Sequence, residues 1–233
     1  MASGLSPDWV WSNTSNATAC NDREWFDEYE PFESHTGTHF GPGPRVLGVG
    51  TVNLPVITSP DATGPKRHGI LKLTNVIHVP DAVCNIISSH DFIESMPDGC
   101  GFTLGMGAPG TQGSVLGPDG ESIAYFKGDH RLFALALSEP PVGPVTGPSR
   151  FRDDTHYAVN VEWPDSEFAR FQAHMAQRRQ DPTKQRYSAE EKQWLKTHFG
   201  GEYHFLRVYG LSIYKEEDRD EGAAIVRGMM ANE

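Results

Sequence analysis

Apolar and polar residues alternate along much of the first part of the chain. In "TVNLPV", Val52, Leu54 and Val56 share one side, and in "ILKLTNVIHV", Leu71, Leu73, Ile77 and Val79 alternate with Lys72, Thr74, Val76 and His78. A period of two is the mark of a half-buried strand, because successive side chains point to opposite faces of a sheet. His78 falls on the polar phase and is expected at a surface or edge. "GSVLG", "SIAYF" and "RLFALAL" predict further strands. Clusters of Gly, Pro, Asp and Ser separate these runs: "GPGP" at 41, "SPDATGP" at 59, "PDG" at 97, "GAPG" at 107, "GPDG" at 117 and "KGD" at 127. Short strands joined by tight turns predict a small, mainly antiparallel β barrel or sandwich over residues 1–137.

The pattern changes after Leu137. Residues 138–150, "SEPPVGPVTGPSR", have the composition of a Pro/Gly-rich linker. Residues 151–233 predict a helical C-terminal region, making the chain α+β overall. In "DSEFARFQAHMAQRRQ", Phe168, Phe171 and Met175 recur at helical spacing, with Asp165 or Ser166 as the expected N-cap. In "YSAEEKQWLKTHFGG", Ser188 and Glu191 form a capping box, Trp194, Leu195 and Phe199 an apolar stripe, and Gly200 a stop. "EYHFLRVYGL" and "KEEDRDEGAAIVRGMMAN" predict two more helices, the acidic run of the second being a solvated face.

Charge narrows the partners. Residues 1–149 hold 7 Lys/Arg against 16 Asp/Glu, and residues 150–233 hold 13 against 15. An acidic first part repels phosphate backbones, so nucleic acid is not an expected partner of the barrel. The basic group Arg178, Arg179, Lys184 and Arg186 is expected to be a solvated helix end. No run approaches eighteen apolar residues, and "MASGLSPDWVW" lacks the basic and apolar segments of a secretory signal, so a cytoplasmic protein without membrane association is expected. Cys20, Cys84 and Cys100 form no CxxC pair and are expected as small buried hydrophobes. The sequons at Asn13 and Asn16 have no role in a protein that is not secreted.

Residues 73–88 read "LTNVIHVPDAVCNIIS". This stretch resembles a signature of the protease region of Copia-type retrotransposon Gag-Pol polyproteins, in which a Leu-x-Asn-Val-Leu-x-Val-Pro strand precedes an Asn-Leu-Leu-Ser turn. Leu73, Asn75, Val76, Val79, Pro80, Asn85 and Ser88 match it, with Ile77, Ile86 and Ile87 as conservative variants. "VLGVGTV" at 46–52 resembles the family's glycine-spaced strand and "HRLFALAL" its closing strand. The resemblance spans roughly residues 8–137 and implies a retropepsin-like barrel, with a homodimer as one oligomeric state open to it.

The same resemblance places an Asp-Ser/Thr-Gly triplet after an apolar lead-in. Here Trp9, Val10 and Trp11 lead into Ser12, Asn13 and Thr14, and Thr18 stands where the family has a histidine. Retropepsins set two aspartates side by side, one from each chain, and the pair shares one proton. A serine hydroxyl has no usable acidity near neutral pH, an asparagine exchanges no proton, and Thr14 lacks the backbone freedom of glycine. The nearest acids in sequence, Asp8 and Asp22, lie outside the turn. Aspartic protease activity is therefore expected to be absent.

Other constellations add little. His35 and His39 in "SHTGTHF" are weak metal candidates set in a predicted loop without a completing ligand. Gly48 and Gly50 lack the third glycine and the following helix of a nucleotide fingerprint. Ser88 or Ser89 is expected to cap a short helix. No cofactor and no metal is implied. Three functions stay open. The expected one is a catalytically inactive, retrotransposon-derived module that binds a protein or peptide. The second is a co-opted enzyme, such as a biosynthetic-cluster cyclase or isomerase, acting on a small molecule in the barrel where Tyr29, His35 or His39 converge. The third is a transposon remnant without activity.

Overall fold

The computed structural model describes residues 4–38, 41–95, 98–157, 159–180 and 186–231. The chain forms two compact units, Met1–Pro164 and Asp165–Glu233. Residues 138–164 therefore belong to the first unit, and the first helix of the second begins at Asp165.

The first unit holds two sheets. One has six strands: β1 (Trp9–Ser12), β2 (Ala19–Cys20), β3 (Glu28–Thr38), β4 (Gly41–Ile57), β5 (His68–His78) and β6 (Asn85–Ser88), in the order β1-β6-β2-β5-β4-β3. The β3–β4 and β4–β5 pairs are antiparallel, whereas β1–β6 and β2–β5 are parallel. The helix α1 (Ser89–Ser95) follows β6, and Ser88 Oγ accepts from the Asp91 N–H as its cap. The second sheet is an antiparallel meander, β7 (Gly101–Leu104), β8 (Thr111–Leu116) and β9 (Ser122–Lys127).

The two sheets do not close into the expected barrel by continuous ladders. The expected closing strand "RLFALAL" instead makes isolated bridges to three strands, through Val10–Ala134, Phe126–Leu135 and Val56–Leu137. It ties β1 to β9 and then reaches the end of β4, as in Trp11 N–H to Phe133 O at 2.9 Å and Lys127 N–H to Ala134 O at 2.8 Å. Division among three partners denies it a ladder with any one of them. The core lies behind it: Trp9, Val10, Val46, Leu54, Ile77, Ile87, Phe126 and Leu135 are fully buried, and Trp9 meets Trp25 edge-on at 5.6 Å.

Local chemistry explains the strand details. A Cβ on Gly48 would strike the Tyr29 ring, and one on Gly50 would strike the Glu28 carbonyl, so these glycines let β3 and β4 approach closely. Asn75 adopts φ 53°, a left-handed conformation that asparagine tolerates better than most residues. The β4–β5 register shifts between Gly50 and Val52, next to this residue. Beyond it the period of two ends: Val76, Ile77, His78 and Val79 are all buried. His78 is therefore not at a surface or edge, because the irregularity at Asn75 carries the polar phase inward.

The second unit contains α2 (Asp165–Gln180), α3 (Ala189–Phe199), α4 (Glu202–Val208) and α5 (Glu216–Met230). Asp165 lies in the first turn of α2, not at its cap. The α3 boundaries agree with the sequence reading. Ser188 and Glu191 form the reciprocal capping box, and Gly200 ends the helix at φ 76°. Replacing Ser188 with alanine is expected to cost about 1 kcal/mol, readable as a lower midpoint of helical unfolding in urea. Trp194, Leu195, Phe205, Leu206, Ala223 and Val226 form the core of this unit.

The acidic run at the start of α5 is not simply solvated. Arg219 is 4% exposed and grips Glu202 through two bonds, Nε to Oε1 at 2.8 Å and Nη2 to Oε2 at 3.0 Å. Arg186 pairs with Glu216 and with Asp220, the latter at 2.8 Å, so it is not a free solvated end. Lys184 lies outside the described residues. Among the described residues no helix is long and apolar enough to cross a membrane.

Candidate functional site

The turn after β1 is built by its neighbours. β1 is buried at all four positions and runs parallel to β6, with Ser12 opposite Ser88. At the end of the strand, Ser12 is buried while Asn13 and Thr14 are exposed. Ser12 Oγ accepts from Ser15 Oγ at 2.8 Å and lies 3.3 Å from Thr14 Oγ1. A network of hydroxyls thus fills the place that the resemblance gives to a carboxylate.

The "NIIS" segment locks this turn. Ser88 Oγ donates to Ser15 O at 2.8 Å, and the Ser88 N–H donates to Thr18 Oγ1 at 3.2 Å. Asn85, fully buried, accepts from the Asn21 N–H at 2.9 Å and donates to Ser6 O at 3.2 Å. Both polar side chains are buried and satisfied, as buried polar groups must be.

One acid that sequence proximity did not reveal reaches the turn. Asp91, at the start of α1, accepts the Thr18 N–H at 2.8 Å. Burial pushes its carboxyl above the usual range, against the lowering effect of that backbone bond. The acids closest in sequence are engaged elsewhere. Asp8 accepts from Ser149 Oγ at 2.7 Å and lies 3.6 Å from His130 Nε2, while Asp22 caps the short 3-10 turn Arg23–Trp25.

A second irregular segment lies across the turn. The Val161 N–H donates to Ser15 Oγ at 2.9 Å, and the Asn16 N–H donates to Val161 O at 3.1 Å. The Asn16 side chain takes both main-chain groups of Trp163: Nδ2 donates to the carbonyl at 2.9 Å, and Oδ1 accepts the N–H at 2.7 Å. From the other side, the Gly37 N–H donates to Glu162 O at 2.7 Å, and the Trp163 indole donates to Ser34 Oγ at 2.9 Å. Sequence reasoning named Asn16 only as a sequon and did not name Trp163 at all. Their partners lie more than a hundred residues away, and no local pattern announces such a pairing.

Tyr29 and His35 both lie on β3. Tyr29 is buried, and its hydroxyl shares a 3.0 Å hydrogen bond with His78 Nδ1. The Arg23 guanidinium sits 4.1 Å from the centre of the Tyr29 ring. Burial, reinforced by the Arg23 charge, pushes His78 down to about 4. His35 is half-buried opposite Arg45, and His39 lies outside the described residues. Among the described residues no group of three or more His, Cys, Asp or Glu could hold a metal ion. Burial raises the Cys20 thiol and pushes Cys84 up to about 12, so both stay protonated near neutral pH.

A separate cavity of about 640 Å³ is lined by Pro7, Ile57, Tyr125, Lys127, Asp129 and Ser138, among others. Ser138 resembles a nucleophile in one respect, since His68 Nδ1 lies 2.8 Å from its Oγ. The hydroxyl proton, however, is given to Val56 O at 2.9 Å, which leaves the oxygen as the acceptor of His68. In this arrangement the hydroxyl proton points away from His68, so the pair is not set as nucleophile and base.

Residues 9–96 match the family model of the Pol polyprotein β-barrel domain. The match takes in β1–β6 and α1, including the turn after β1 and the segment that locks it, and it supports a retrotransposon Pol-derived origin for this part of the chain. No curated protein and no solved structure matches the chain.

Proposed function

We propose that the first unit descends from the protease region of a Copia-type element and acts as a pseudoprotease, a binding module for a peptide or protein partner without peptidase activity. The carrying observation is the turn after β1, where Ser12 is bonded to Ser15 and Thr14 in place of a carboxylate. The residue match at 73–88 favours the Copia type over other Pol lineages. Peptide hydrolysis of the retropepsin kind needs two carboxylates sharing one proton, so that one activates water and the other protonates the leaving amine. Asp91 by itself does not supply that function, because it brings one carboxylate to the turn where the reaction needs two sharing a proton.

The test is turnover of a mixed peptide pool by the unmodified chain, followed by mass spectrometry. No cleavage above buffer is expected between pH 3 and 8, and replacing Ser12 with alanine is expected to change nothing. Cleavage that an aspartic-protease inhibitor blocks would refute the reading. A companion chain with Asp-Ser-Gly restored at positions 12–14 asks whether the rest of the site still supports the chemistry.

A further inference from the structure

The segment Val161–Trp163 has the habits of a bound peptide. Val161 and Trp163 are buried and Glu162 between them is exposed, the alternation of an extended chain. It is held through its main chain from both sides, by Ser15 and Asn16 of the turn and by Gly37 of β3. Pro164 biases Trp163 towards the extended conformation before any contact forms. Bonds to the main chain accept any sequence, whereas the buried valine and tryptophan side chains select.

We propose that the cleft between the Ser15–Asn16 turn and the Ser34–Gly37 part of β3 is a peptide-binding groove. Val161–Trp163 is its built-in occupant, and the partner that displaces it is an extended peptide with an aliphatic residue two positions before a tryptophan. This rests on the binding-module reading above and adds the place, the ligand class and the cis block. The Asn16 carboxamide reads the backbone at the tryptophan position, and Ser34 reads the indole N–H. Because the segment is tethered, it competes at an effective concentration on the order of millimolar, so the native chain presents a largely closed groove.

The test uses the full chain and a fluorescent peptide with the sequence of residues 159–165. Binding is measured against the native chain and against a Val161→Gly, Trp163→Gly double variant that empties the groove. The emptied variant is expected to bind at least about tenfold more tightly than the native chain. A peptide with alanine in place of tryptophan is expected to bind neither chain. Equal affinity for the two chains overturns the proposal. Should the emptied variant lose its circular dichroism spectrum, hydrogen exchange on the native chain decides. Peptide at a concentration on the order of millimolar is expected to speed exchange at the Val161 and Trp163 amides while the Gly37 amide stays protected. Unchanged exchange at 161 and 163 overturns the proposal. Pool peptides that bind the native chain while those amides stay protected overturn the cis block and leave the binding module standing. Inhibitor-sensitive cleavage overturns the binding module itself.

Discussion

Replacing Arg219 with alanine will destabilise the helical unit by about 2–3 kcal/mol, because the change leaves the Glu202 carboxylate, only 18% exposed, without its counter-charge. Arg219 is among the most deeply buried charged side chains described, and it meets Glu202 through a parallel pair of short bonds. Such a pair is costly to break and not costly to replace. A double variant, Arg219→Met with Glu202→Leu, is therefore expected to recover most of the loss, since both charges leave together. Urea unfolding of the full chain, followed by helical ellipticity, reads both variants. Ion pairs with exposed partners serve as the control. The Arg170–Glu167 pair on α2 has its arginine half exposed, and its loss is expected to cost no more than about 0.5 kcal/mol.

The second large effect is a loss of stability of the first unit on acidification. His78 is 3% exposed and sits beside Arg23, and its folded pKa is about 4 against an ordinary value of 6.5. Between those values the unfolded chain binds a proton that the folded chain refuses. Stability is therefore full above about pH 6.5, falls as pH drops towards 4, and levels off below it. The span amounts to about 3 kcal/mol for a shift of this size. His78→Gln keeps a polar partner for the Tyr29 hydroxyl and removes the titration, so its unfolding free energy is expected to be nearly flat across that window. Asp91 works in the opposite sense. Its raised carboxyl favours the protonated folded form, so it adds stability as pH falls towards its ordinary range. The Asp91→Asn chain should then lose more stability than the parent over the same acid range. A parent chain with a flat profile would mean that His78 is solvated and that the buried Tyr29–His78 contact does not persist in solution.

These two residues also mark where reading the sequence stops. Strand periodicity placed Val52, Leu54, Val56, Leu71 and Leu73 inward, and all five are buried. The capping box at Ser188–Glu191 and the stop at Gly200 were legible because caps are local: donor, acceptor and helix end lie within a few residues of one another. The signature at 73–88 lies within the stretch that matches the Pol polyprotein β-barrel model, and its polar members proved to have structural work. Asn75 takes the left-handed conformation beside a register shift, and Asn85 and Ser88 lock the turn.

The chain alone thus determined most of the strand segments, the four C-terminal helices and the lack of an acid between Asp8 and Asp22, and residues 9–96 match the Pol polyprotein β-barrel model. Tertiary structure alone decided that His78 and Arg219 are buried, that Asp91 comes to the turn, that the sheets do not close by ladders, and that Val161–Trp163 lies across the turn after β1. The reason is physical. Periodicity and caps record which face of a local element meets water, and a few neighbouring residues carry that record. Main-chain bonds to an irregular segment use N–H and C=O groups that every residue type except proline carries alike, so the sequence holds no trace of them until the fold brings the partners together.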